Sequence, residues 1–153
     1  MSATVMLPSV NRSQDWWDRY FLGVAEAVAK ASKDPSTKVG SVIVRPDRTF
    51  VSFGYNGFPR GIADTEERLN DRDVKNGLVV HAEVNAILTA REPLHGSCIY
   101  IWPFLSCKKC ALTVIQAGIK RVVAPLNDNE RWAASFREAQ DIYDEAGVAW
   151  KLM

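Results

Sequence analysis

With 153 residues and a formal charge of +1, from 19 basic and 18 acidic side chains, the chain has the length for one compact domain that buries about two-thirds of its unfolded surface. Its 47% apolar and 24% charged residues are an ordinary globular mixture without the basic stripe of a polymeric nucleic-acid binder, the longest basic runs being the pairs Lys108-Lys109 and Lys120-Arg121. No stretch approaches the roughly eighteen apolar residues of a membrane span, and MSATVMLPSVNRS lacks the charged start and apolar centre of a secretory signal, so a cytoplasmic protein with no membrane partner is expected.

Ser13 is placed to cap a first helix running to about Ser32, with Trp17, Phe21, Val24, Val28 and Ala31 along one face. Asp34-Pro35 ends it. Two β-rich runs, 39–44 and 50–54, come next around a turn at Pro46-Asp47 and read as a hairpin. Residues 56–80 are polar, turn-rich and weakly periodic, and a connection of that length in a small domain points to function. Asn56-Gly57 is by itself a hairpin-turn signal, yet the residues after it do not read as a partner strand. Then come a helix over 82–90, a strand over 98–101, a helix over 108–117 closed by Gly118, and a strand over 121–124. A helix over 130–146 closed by Gly147 and a strand over 148–152 complete the order αββαβαβαβ. Such alternation predicts a layered α/β domain with partly parallel strands, one unit over 1–153.

Three cysteines, Cys98, Cys107 and Cys110, are an odd number with one close pair. That usage suits a reducing compartment and a metal or redox role better than a disulfide framework. His81-Ala82-Glu83 opens one helix, and Cys107-Lys108-Lys109-Cys110 opens another. Cysteines three apart on a helical turn share a face, and the partial positive charge at a helix N-terminus favours the thiolate that a metal requires. With His81 they make three ligands, leaving the fourth tetrahedral corner for a water. Residue types alone leave other uses open. The pair could be a redox couple, although the surrounding sequence lacks a thioredoxin-like pattern. The site could be a closed structural one, with His95 or Cys98 as the fourth ligand, or His81 could be satisfied within the core. HxE followed by CxxC after an α/β crossover favours the open site, because the two elements have different mundane explanations yet fit one ion.

Five segments, DPSTKVGSVIV (34–44), GYNGFPRG (54–61), HAEVNAIL (81–88), the CxxC and IQAGIKRVV (115–123), resemble the deoxycytidylate deaminase family within the cytidine deaminase superfamily, over most of the chain. HAEVNAI and GYNGFPRG together are specific to it; CxxC alone is not. The resemblance implies a three-layer α/β cytidine-deaminase-like fold, a five-stranded mixed sheet with helices on both faces. It implies Zn2+ held by His81, Cys107 and Cys110, and a metal-activated water attacking C4 of cytosine. Glu83 would be the catalytic acid/base that moves protons to ring N3 and to the departing ammonia. It further implies dCMP as substrate and dUMP as product, feeding thymidylate synthesis, with Asn56 bonding the sugar and Ala82 also touching the substrate. Regulation by dCTP as activator and dTTP as inhibitor, with Mg2+ accompanying the triphosphate, is implied by the same likeness. So is a homo-oligomer, hexameric or dimer-based.

Contacts to phosphate or effector are sought among Tyr55, Gly57, Arg60, Arg91 and Arg131, with Lys120 as a further cation. Trp132 either stacks on a base or packs in the core. One departure from the family pattern is Ser106, which stands where proline usually precedes the first cysteine. Proline stiffens the turn entering the helix, and serine is expected to cap that helix instead. Rival functions are a deaminase of dCTP, cytidine or a modified deoxycytidine nucleotide, and a non-catalytic nucleotide sensor in which the zinc is structural.

Overall fold

The computed structural model describes residues 7–153, so the head of the N-terminal segment read as free of a signal pattern lies outside the described residues. The chain forms α1 (Gln14–Ala29), β1 (Gly40–Val44), β2 (Phe50–Tyr55), α2 (Glu66–Asn70), α3 (Arg72–Leu78), α4 (Ala82–Thr89), β3 (Cys98–Trp102), α5 (Lys108–Gln116), β4 (Arg121–Ala124), α6 (Glu130–Ala146) and β5 (Ala149–Leu152). The strands make one sheet in the order β2-β1-β3-β4-β5. Strand β1 is antiparallel to β2 and β3, whereas β3, β4 and β5 run parallel. The expected five-stranded mixed sheet is therefore present.

Strand alternation sorts the apolar residues onto two faces. Val42, Val44, Tyr100 and Val123 meet Phe21, Leu22 and Ala25 of α1. Ile43, Ile99, Ile101, Val122 and Ala124 meet Ala86 of α4, Val114 of α5, and Phe136 and Tyr143 of α6. One helix on one face and three on the other give the three layers.

Two expectations are corrected. The segment 56–80 is not without regular structure, because α2 and α3 lie within it. Thr65 caps α2 through Arg68 N, Asp71 caps α3 through Asp73 N and Val74 N, and acidic residues fill both first turns. Only Lys75 of these two helices is buried, so no apolar stripe marked them. Helix α1 also stops at Ala29 rather than near Ser32, its end tightening into three-residue bonds from Lys30, Ala31 and Ser32. Its buried stripe is Asp18, Phe21, Leu22, Ala25 and Ala29, rotated from the expected one and leaving Ala31 exposed.

Helix α4 is seated on β2 and β1 by backbone. A Cβ on Gly54 would lie 2.4 Å from Ala86 N and 2.6 Å from Ala82 O, so the helix rests on bare main chain there. The Ser41 hydroxyl donates to Ala82 O (2.8 Å) and the Ser52 hydroxyl to Ala86 O (2.7 Å), pinning the first turns of α4 to the sheet.

On the opposite face Asp18, fully buried, ties α1 to β3 and β4. Its carboxylate accepts two bonds from Arg121 (2.7 and 2.7 Å), one from the Tyr100 hydroxyl (2.7 Å) and one from Gln14 (2.9 Å). Burial pushes this carboxyl up, but those donors outweigh it and hold it well below the ordinary 3.8.

Candidate active site

Two helix N-termini converge on one point. His81 is the N-cap of α4, Cys107 is the N-cap of α5, and Cys110 lies in the first turn of α5. His81 Nδ1 is 3.2 Å from Cys110 Sγ and 3.6 Å from Cys107 Sγ, and all three ligand atoms lie within 4.8 Å of one another. Tetrahedral zinc with ordinary bond lengths places nitrogen and sulfur roughly 3.5 Å apart, so the donor set fits that ion. The Cys107 sulfur also accepts from Cys110 N (3.5 Å) and so caps the helix itself. The expectation that Ser106 caps α5 is therefore corrected: with Cys107 in the cap position, the Ser106 hydroxyl is free to bond Tyr143 Oη instead, at 2.8 Å.

A hydrogen bond from the Cys110 thiol, together with His81, holds the Cys107 thiol far below its usual range, while Cys110, as the donor to Cys107, is pushed up. The Cys107 sulfur in turn raises His81. Neither spare candidate joins the cluster: Cys98 belongs to the α1 face of the sheet, and His95 lies against Gly118. Among the described residues the cluster offers three candidate ligands, not the four of a closed site.

Glu83, two residues from His81 on α4, is 4% exposed. Burial raises its carboxyl above the ordinary 4.5, against the lowering effect of the Cys110 thiol and its own helix end. A carboxyl shifted that way exchanges protons more readily near neutral pH.

A cavity of about 500 Å³ opens over these groups. His81, Ala82, Glu83 and Cys107 line it on one side, and Asn56 with the 34–39 loop on another. Helices α3 and α6 add Arg72, Lys75, Arg131 and Trp132. Of the candidate cations, Arg131 reaches the cavity, whereas Arg60, Arg91 and Lys120 do not line it. Tyr55 and Gly57 line a neighbouring cavity of about 120 Å³ that shares Asp34, Asn56 and Lys75 with the first. Of the two uses expected of Trp132, the structure shows core packing, its ring stacking on Phe104 (5.5 Å, 24°) against the core while the residue also lines the cavity.

The Asn56 amide is engaged within the protein. Its Oδ1 accepts from Val39 N (2.9 Å), and its Nδ2 donates to Thr37 O (3.0 Å) and, longer, to Asp34 (3.4 Å). Lys75 Nζ bonds Asp34 (3.0 Å) and Ser36 Oγ (3.1 Å), so the loop is knit from both sides. Sequence reasoning missed Arg72 and Lys75. Their one signal was the pair of capped helix starts at Thr65 and Asp71.

The model of the cytidine and deoxycytidylate deaminase zinc-binding region matches residues 15–126, which span α1 through β4. The chain belongs to this family. It is 40% identical over 135 residues to an uncharacterized deaminase of Aliivibrio fischeri, covering 86% of this chain and 90% of that one. Human deoxycytidylate deaminase is 35% identical over 142 residues, covering 88% and 78%. Among solved structures, dCMP deaminase from the cyanophage S-TIM5, in complex with dCMP and dUMP, shares the fold with a TM-score of 0.71 at 23% identity, over 94% of this chain and all of that one. As a member of this deaminase family with a His/Cys/Cys cluster in place, the chain is a zinc-dependent hydrolytic deaminase.

Proposed function

We propose that the chain deaminates dCMP to dUMP and ammonia. The observation that carries this reading is one cavity lined by His81 and Cys107 of the cluster, with Cys110 buried beside them, a buried Glu83 on its wall, and two arginines beyond. Among the described residues neither Arg72 nor Arg131 pairs with a carboxylate, and a monophosphate is the dianion that suits them. The cavity volume lies within the roughly 300–1,000 Å³ of small-molecule sites.

Zinc bound at the cluster would supply Lewis acidity, bringing a coordinated water from a pKa of about 15.7 toward about 7. Glu83 takes a proton from the water whose oxygen bonds to C4, and delivers it to ring N3. It then relays a second proton to the exocyclic amine, the C4–N bond breaks and ammonia leaves. Asn56 presents its amide to the sugar, the long contact with Asp34 being the bond a hydroxyl would replace, and Ala82 touches the substrate from the start of α4.

Relatives whose names carry the dCMP activity favour this substrate over dCTP, cytidine or a modified nucleotide. A panel of dCMP, dCTP, deoxycytidine and a short oligonucleotide tests it. Arg72→Ala with Arg131→Ala is expected to raise KM for dCMP about tenfold or more while leaving kcat/KM for deoxycytidine unchanged. Equal losses on both substrates would remove the phosphate from the reading.

Regulation by dCTP and dTTP, with Mg2+, belongs to the same proposal. It is supported by the smaller cavity, which brings Tyr55 and Gly57 of the GYNGFPRG segment against Asn56 and Lys75 of the substrate cavity. The rate is expected to be sigmoidal in dCMP, to rise with dCTP and to fall with dTTP; hyperbolic kinetics blind to both would refute it. A homo-oligomer, hexameric or dimer-based, fits the exposed Phe50, Phe53 and Tyr55 on edge strand β2. A cytoplasmic location fits the three free thiols, and among the described residues no helix is long and apolar enough to cross a membrane.

A further inference from the structure

Ser106 immediately precedes Cys107, which is at once a member of the ligand cluster and the N-cap of α5. Ser106 is 1% exposed, Tyr143 is 0% exposed, and their hydroxyl oxygens stand 2.8 Å apart. Tyr143 lies late in α6, the helix whose first turns bring Arg131, Trp132 and Phe136 to the cavity.

We infer that the Ser106–Tyr143 hydrogen bond positions the metal centre, doing by a tertiary contact what a proline ring at that place does by covalent stiffness. Proline fixes its own φ and narrows the conformations of the residue before it. Serine restricts neither, so the chain between β3 and α5 needs another restraint just where it must present Cys107. A hydroxyl pair sealed from water supplies one, because breaking it would leave two buried polar groups without partners. The bond also fastens the ligand-bearing loop to α6, so that the cavity wall and the metal cluster share one frame. Ser106 and Tyr143 are positioning residues, and this role rests on the zinc reading above.

The test is chelator competition on the purified, zinc-loaded full chain. Groups that hydrogen-bond a ligand directly typically alter metal affinity by about ten- to a hundredfold. The Ser106 and Tyr143 hydroxyls bond each other and act through the backbone of Cys107, so a loss at the low end, about tenfold, is expected for Ser106→Ala and for Tyr143→Phe. Because both remove the same bond, the double variant should lose no more than either single one. Ser106→Pro placed in the Tyr143→Phe background should restore zinc retention. With cobalt in place of zinc, the sulfur-to-metal absorption should shift in the single variants and return in the proline variant. Should Tyr143→Phe not fold, the comparison of Ser106→Pro with Ser106→Ala decides, proline keeping zinc where alanine loses it. Folded variants that hold zinc as tightly as the unaltered chain, additive losses in the double variant, or failure of proline to rescue would overturn the positioning role alone. An unaltered chain that binds no stoichiometric zinc would overturn the zinc reading beneath it as well.

Discussion

Replacing Glu83 by alanine is expected to leave zinc bound and to lower turnover on dCMP by about a hundredfold or more, the usual contribution of a positioned acid/base. The carboxyl is not part of the ligand cluster, so removing it leaves His81, Cys107 and Cys110 intact. It is nevertheless buried on the cavity wall in the first turn of α4, where no bulk water substitutes for it as a proton carrier. Glu83→Gln should lose nearly as much, since the amide keeps the shape and the hydrogen bonding but moves no proton. Ammonia release measured beside metal content separates the two effects. Near-normal turnover in a zinc-loaded Glu83→Ala protein would take this residue out of the mechanism.

The second large effect is on stability. Asp18→Asn is expected to destabilise the fold by about 3 kcal/mol, the lower end of what breaking a buried ion pair costs, because Arg121 keeps some access to water. The lost charge also leaves Lys151 with Asp15 as its remaining carboxylate partner. The sign with pH is fixed by the lowered carboxyl. Its stabilisation is fully present above the ordinary 3.8 and is lost as pH falls through the lower folded value, where the native state takes up the proton too. Urea unfolding of the two proteins should therefore show a wide gap at pH 7 that narrows below about pH 3.8. A gap that is absent at pH 7, or that widens in acid, would show that this network contributes no net stability.

The part of the molecule legible in the sequence obeys local rules. The cluster of His81, Cys107 and Cys110, with Glu83 two residues from the histidine, stood out because HxE and CxxC are short fixed spacings at helix starts, which tertiary structure cannot rearrange. The strands and helices from α4 onward were readable because capped helices alternate with β-branched runs, and Gly118 and Gly147 take the left-handed backbone their closing role requires. The cavity wall was not readable. Arg72 and Lys75 sit on a seven-residue helix with one buried side chain, a pattern no periodicity marks. Arg131 is placed by the packing of α6, and nothing local separates it from Arg60 or Arg91, which stand elsewhere. Ser106 misled for a related reason: its partner Tyr143 lies 37 residues away, and the cap position had already gone to a sulfur.

The contact between Gly54 and the start of α4 sets how closely that helix, with Glu83 on it, approaches the sheet through main-chain van der Waals contact. Two main chains touch there, and the short Ser41 and Ser52 side chains bridge the same gap. An exchange of valine for isoleucine elsewhere in the interior is thus expected to displace the Glu83 carboxyl little, because much of the seat of α4 is main chain rather than side-chain volume that repacks.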